Sequence, residues 1–210
     1  MCKDYLWKYQ LDDIAKIASL MTVSGTGIQR DLILITGLPG IGKTTLAREL
    51  ARQTKGIHFD LDDTKRVIVP ENMVTESIDP HEFRYKYYAE AIRRLPELFA
   101  QSSAQIVIMD ETFHLQGFRQ MWDEAARQLK IRLHWVEAVC DEEIVKERLS
   151  IGKDRGNHIL VDQGYQMYLL FKEAFEPLQG PHVVVDTNKD IVPQVQRIVR
   201  EWSIGDKTVS

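Results

Sequence analysis

Eight consecutive residues carry the strongest chemical signal: Gly37-Leu38-Pro39-Gly40-Ile41-Gly42-Lys43-Thr44 satisfies G-x-x-x-x-G-K-[ST] at every fixed position. The chemistry is phosphate binding. Gly37, Gly40 and Gly42 let the backbone curl until its N–H groups converge on phosphate oxygens, which side chains there would obstruct. Lys43 brings a point charge to the β- and γ-phosphates, and Thr44 offers a hydroxyl to Mg²⁺. A helix opening at this point adds the positive end of its dipole. A site for ATP with Mg²⁺ is therefore expected, with Gly37 through Thr45 on the nucleotide.

Other residues are spaced to complete such a site. Ile106-Val107-Ile108-Met109-Asp110 is an apolar run ending in an acid, which predicts a strand whose Asp110 holds the metal directly or through water. Gly56-Ile57-His58-Phe59 predicts another strand, ending in Asp60-Leu61-Asp62-Asp63. A hydroxyl acceptor needs a carboxylate within hydrogen-bond reach. Parallel strands end at one edge, so Asp60, Asp62 and Asp63 should emerge near the γ-phosphate and the acceptor. Asp63 and Arg66 form Asp-x-x-Arg, a base and a cation on one side of a helix start, with helix capping as the competing explanation. Phosphoryl transfer also needs cations that close over the triphosphate. Arg148, Lys153 and Arg155 are the candidates, with a solvated charge run as the alternative, and the Gly- and charge-rich segment 151–161 is the expected lid.

Glu111, next to Asp110, raises a rival reading, because Asp-Glu pairs also occur in ATPases whose Glu polarises a hydrolytic water. A second nucleotide-binding half and a transporter-type signature segment are both missing, and little chain is left for a helical extension. On the kinase reading Glu111 sits at the surface or supports the metal from behind. A nucleotide-binding switch without turnover is a third reading.

The elements that must position these residues follow from periodicity. Leu32 to Thr36 reads as a buried parallel strand before the glycine-rich turn, and Leu46, Ala47, Leu50 and Ala51 as the inward face of the following helix. Asp79, Pro80 and Glu82 predict a helix start, with Phe83, Tyr88, Ile92, Leu95 and Phe99 facing the core and Pro96 kinking or dividing the helix. Residues 67–78 read as loop. Phe118, Met121, Trp122, Ala125 and Leu129 mark another helix, Ile131 to Val136 a strand, and Asp141 a helix start. Tyr165, Tyr168, Leu169, Lys172 and Phe175 trace a later helix, His182 to Asp186 the last strand and Val192 to Trp202 the closing helix. Strands alternating with helices predict a three-layer α/β fold around a five-stranded parallel sheet. Residues 1–30 are expected to form a helical extension, with an amphipathic helix over 5–21, and residues 31–210 the phosphate-binding domain.

Composition narrows the partners. The 210 residues suit one compact domain, with 44% hydrophobic and 28% charged residues. A net charge of −4 disfavours broad electrostatic binding of nucleic acid. One helix interleaves Tyr85, Tyr87 and Tyr88 with Arg84, Lys86, Arg93 and Arg94, a pattern that suits stacked bases and held phosphates. An amphipathic helix with its charges in solvent is the alternative. Cys2 and Cys140 are too few for a disulfide framework or zinc site, and the six histidines have no metal-ligand spacing. No stretch of ~18 apolar residues exists, so no membrane span and a cytoplasmic location are expected.

Gly37 to Thr45, Asp60 to Arg66, Asp110-Glu111-Thr112-Phe113 and the stretch from Arg148 through Arg155 to Tyr168 together resemble the small P-loop kinases grouped as AAA-domain predicted kinases. That group includes phage-type polynucleotide 5′-kinase, seryl-tRNA kinase, gluconate-type kinases and zeta-toxin kinases. The resemblance covers roughly residues 32–190. It implies a kinase-type P-loop fold, ATP and Mg²⁺, Asp63 as catalytic carboxylate, Arg66 as acceptor-binding cation, and Arg155 in the lid. It also implies that Thr187, just after the last strand, lies in a loop beside the adenine. Glu111 stands where the family usually has a small residue, and the interval from Arg148 to Arg155 is longer than in polynucleotide kinases. The implied acceptor is a nucleic-acid 5′-end, a nucleoside or a small polyol.

Overall fold

The continuous apolar run beginning at Asp31 becomes the central strand. In this computed structural model, which describes residues 29–68, 81–152 and 161–204, β1 (Asp31–Thr36) is buried along its whole length. Leu32 and Leu34 join one core while Ile33 and Ile35 join the other, as a strand covered on both faces requires. β1 pairs in parallel with β3 (Ile106–Asp110) and with β4 (Arg132–Val139). β2 (Ile57–Asp60) lies outside β3 and β5 (Val183–Asp186) outside β4. The result is a five-stranded sheet of order β2-β3-β1-β4-β5, parallel throughout.

Seven helices connect the strands among the described residues: α1 (Lys43–Thr54), α2 (Leu61–Ile68), α3 (His81–Gln101), α4 (Gln116–Leu129), α5 (Glu142–Gly152), α6 (Val161–Ala174) and α7 (Ile191–Glu201). α3 and α4 cover one face, with Tyr88, Ile92, Trp122 and Phe118 against Leu32, Leu34, Val107 and Met109. α1 and α7 cover the other, with Leu46, Leu50, Val195 and Ile198 against Ile33, Ile35, Ile108 and Val136. The three layers match the expected architecture. Trp122 is central to the first core, edge-on to Tyr88 at 5.9 Å and to Phe113 at 6.0 Å, geometry that aromatic quadrupoles favour.

Several expectations need correction. Of the two effects expected of Pro96, a kink or a division, division does not occur: α3 runs from His81 to Gln101 with Ile92, Leu95 and Phe99 buried around the proline. Packing on both sides of it offsets the lost backbone bond. The Tyr-Arg helix is neither a stacking platform nor a helix with all its charges outside: Tyr87, Tyr88 and Arg84 are all buried. In α6 the inward positions are Tyr168 and Phe171, while Leu169 is exposed and Phe175 lies beyond the helix end. β4 runs on to Val139 because β5 pairs with its last residues. α2 extends into the start of the expected loop, through Ile68. The helix expected at 5–21, Asp79 with Pro80, and Lys153 and Arg155 of the expected lid lie outside the described residues. Among the described helices none is long and apolar enough to cross a membrane.

Candidate functional site

The C-terminal edge of the sheet gathers the chemistry. The turn from β1 into α1 needs glycine at both ends. Gly37 has φ 145°, and a Cβ there would sit 2.7 Å from the Ala138 carbonyl oxygen. Gly42, at φ 97°, precedes α1 in a left-handed conformation that side-chain-bearing residues rarely adopt. Lys43 is half-buried, and its Nζ donates to the Leu38 carbonyl at 3.0 Å. Burial pushes its ammonium below the ordinary value, against the charges of Glu111, Asp110 and Asp62, while Arg84 adds to the fall.

Sheet register delivers the acids. Ile35 pairs with Asp110, and Asp110 with Asp60, so β1, β3 and β2 end side by side. Thr44 Oγ1 donates to Asp110 Oδ2 at 2.8 Å, and His58 Nε2 lies 2.6 Å from Asp110 Oδ1. The two residues expected to hold the metal are thus in direct contact with each other. Asp60 Oδ1 accepts from the Asp62 N–H at 2.9 Å, which is a capping role. Asp62 and Asp63 are exposed in the first turn of α2, and Arg66 follows one turn on.

Glu111 is not at the surface. Its side chain is 12% exposed, and Oε1 collects three donors: Arg84 Nη1 at 3.3 Å, the Thr112 N–H at 2.7 Å and Thr112 Oγ1 at 2.6 Å. Burial alone would raise its pKa. The Arg84 charge, the two Thr112 bonds and the Lys43 charge overcome this and hold the carboxyl at about 2. Thr112 ties the group to the cradle, since its carbonyl accepts from Thr36 Oγ1 at 2.6 Å and from the Gly37 N–H at 3.4 Å. Arg84 also stacks over Phe171, 5.2 Å from the ring centroid. The ring of His114 meets Phe171 edge-on at 5.0 Å, fully buried with neither nitrogen partnered among the described residues. Burial, then the Arg84 charge, push His114 down to about 3, so the ring is neutral.

At the far side of the cradle, Arg148 on α5 donates through Nη1 to the Ile41 carbonyl at 3.0 Å and to Thr187 Oγ1 at 3.1 Å. Its Nη2 donates to the Thr187 carbonyl at 2.6 Å, and Thr187 Oγ1 itself donates to Ile41. Arg148 therefore clamps the cradle to the loop after β5, and those donors are already engaged. Asn188 steadies the same loop, accepting from the Asp141 N–H at 3.1 Å.

Two residues at this edge escaped the sequence reading. His58 had a signal: it lies two residues before Asp60 on a strand, hence on the same face, next to the strand that ends in Asp110. Arg84 had one too, since it falls on the stripe of buried residues that continues through Tyr88, Ala91 and Leu95.

Comparison with known proteins agrees with this architecture. A sugar kinase from Janibacter sp. HTCC2649 is 19% identical, with 84% of this chain and 96% of that one covered at a TM-score of 0.59. A gluconokinase from Sinorhizobium meliloti 1021 is 20% identical, with 85% and 99% covered and a TM-score of 0.59. The APS kinase of Mycobacterium tuberculosis, in complex with AMPPNP and APS, is 13% identical, with 83% and 98% covered and a TM-score of 0.57. At such identities the likeness establishes the fold, that of the small P-loop kinases. A family model described as an AAA domain matches residues 32–165, more than half of the chain, and the protein belongs to that family.

Proposed function

We propose that this protein is a cytoplasmic ATP-dependent kinase that transfers the γ-phosphoryl group to a hydroxyl acceptor. The carrying observation is the register of Asp60 with Asp110, which brings the acids after β2 to the same edge as Thr44 and the phosphate cradle. The kinases among the structural neighbours support phosphoryl transfer as the reaction class.

On this reading the cradle from Gly37 to Thr45 binds the phosphates, with Lys43 on the β/γ-phosphates and Thr187 beside the adenine. Thr44 and Asp110 present two hard oxygens at one point, a donor set that suits Mg²⁺ completed by phosphate and water. The metal, when bound, would neutralise charge on the β- and γ-phosphates. Asp63 takes the proton of the acceptor hydroxyl as its oxygen bonds to the γ-phosphorus and the bond to the ADP oxygen breaks. Asp60, Asp62 and Arg66 border the acceptor. Arg155 neutralises the migrating group, while Arg148 holds the cradle to the loop that carries Thr187. Hydrolysis by Glu111 is the second reading. Against it, a carboxyl held at about 2 is a weak base for water.

The test is Lys43→Met, assayed with γ-labelled ATP against oligonucleotides, nucleosides and polyols. Transfer is expected to fall at least ~100-fold with unchanged circular dichroism. A wild-type rate in that variant defeats the reading.

A further inference from the structure

We infer that Glu111 is an acceptor-recognition residue, fixed in place by Arg84, and that the acceptor is a small, uncharged or amine-bearing polyhydroxyl compound with a second hydrogen-bond donor beside the reacting hydroxyl. This rests on the kinase reading above and names its substrate class.

The two oxygens of Glu111 are treated very differently. Oε1 takes Arg84 Nη1 and both donors of Thr112. No donor among the described residues reaches Oε2, although the side chain is 12% exposed. One end is thus anchored in the protein and the other is left as a bare acceptor at the edge where Lys43, Thr44 and Asp110 meet. Anchoring is strong because Arg84 is 2% exposed and its guanidinium is held over Phe171. Preorganised, half-satisfied groups of this kind are what a site uses to select a complementary donor, because the group stays unpaired when the wrong molecule binds.

The partner must bring an O–H or N–H. A carboxylate or phosphate at that position would face an anion, and the nearest buried cation, Arg84, is already committed to Glu111.

Glu111→Gln gives a sharp test, since the end facing Arg84 and Thr112 must remain an acceptor. The amide nitrogen then takes the place of Oε2, turning an acceptor into a donor with little change of shape. Phosphate transfer from γ-labelled ATP is measured for the wild type, Glu111→Gln and Glu111→Asp. The acceptors are D-sorbitol, D-glucose, D-glucosamine, D-gluconate and a 5′-hydroxyl oligonucleotide, with ATP affinity measured separately by calorimetry. Wild-type transfer is expected to sorbitol, glucose or glucosamine ahead of the two anions. Glu111→Gln should raise the acceptor KM about ten-fold or more, keep ATP affinity within about two-fold, and be partly rescued in Glu111→Asp. A Gln variant with an unchanged acceptor KM overturns the assignment, as does one that loses ATP affinity, which would make Glu111 a counter-charge for Lys43. Transfer to the oligonucleotide alone overturns the assignment and leaves the kinase reading standing. Transfer to nothing on the panel, with ATP consumed in water, overturns both.

Discussion

Arg84→Met isolates the electrostatics of the buried pair while keeping most of the side-chain volume. In the wild type Glu111 titrates at about 2 instead of 4.5, a difference equivalent to about 3 kcal/mol of folding stability. Its folded pKa lies below the unfolded one, so this contribution is complete above about 4.5 and is lost as the pH falls through about 2. Removing the Arg84 charge takes away the largest influence opposing burial. The Glu111 pKa then rises toward or past its unfolded value, and its contribution at neutral pH disappears or reverses. A loss of about 3 kcal/mol at pH 7 follows, in line with the ~3–5 kcal/mol cost of breaking a buried ion pair from one side. The deficit should narrow as the pH falls from about 5 toward 3, because protonation relieves the unpaired carboxylate.

The assay is urea unfolding followed by far-ultraviolet circular dichroism across that pH range, for Arg84→Met, Glu111→Gln and the double variant. Glu111→Gln should recover part of what Arg84→Met loses, since the two groups interact directly. An equal deficit at every pH, with additive single variants, would show that Arg84 contributes through packing over Phe171 and that its charge is immaterial.

Arg148→Ala should raise the KM for ATP about ten-fold and lower kcat much less, because Arg148 links Ile41 to Thr187 through charged hydrogen bonds; steady-state kinetics check this, and a selective fall in kcat would place the arginine on the migrating phosphoryl group. Asp63→Asn should reduce transfer by about 100-fold or more while calorimetry finds ATP binding nearly intact, and retained transfer would remove Asp63 from catalysis.

The cradle was legible because all its determinants are contiguous: glycines at 37 and 42, a cation and a hydroxyl on the first turn of α1. The place of Asp110 was legible because an apolar run ending in an acid, read together with the cradle, sets that acid at the edge where β1 also ends. The Arg84–Glu111 pair was not, although its periodicity was visible, because residue type spoke against burial and only the partner makes burial tolerable. That partner lies 27 residues away, just past the end of β3. Thr112 was similarly hidden: its bond to Thr36 spans 76 residues and exists only because β1 and β3 are neighbours.

The same contacts explain how Lys43 stays available for an anion in a site crowded with acids. Glu111 and Asp110 both act on Lys43 from a distance, yet each has other donors. Glu111 is drawn to Arg84 and Thr112, and Asp110 to Thr44 and His58. The Lys43 ammonium instead rests on a backbone carbonyl, that of Leu38. Leaving a neutral carbonyl costs about 1–3 kcal/mol, whereas stripping a lysine from a desolvated carboxylate costs ~3–5 kcal/mol. Acids that oppose the effect of burial on the ammonium, but are held by others, leave it free to pass to a triphosphate. Arg84 and His58 thus act on Lys43 without touching it, by occupying the carboxylates that would otherwise capture it.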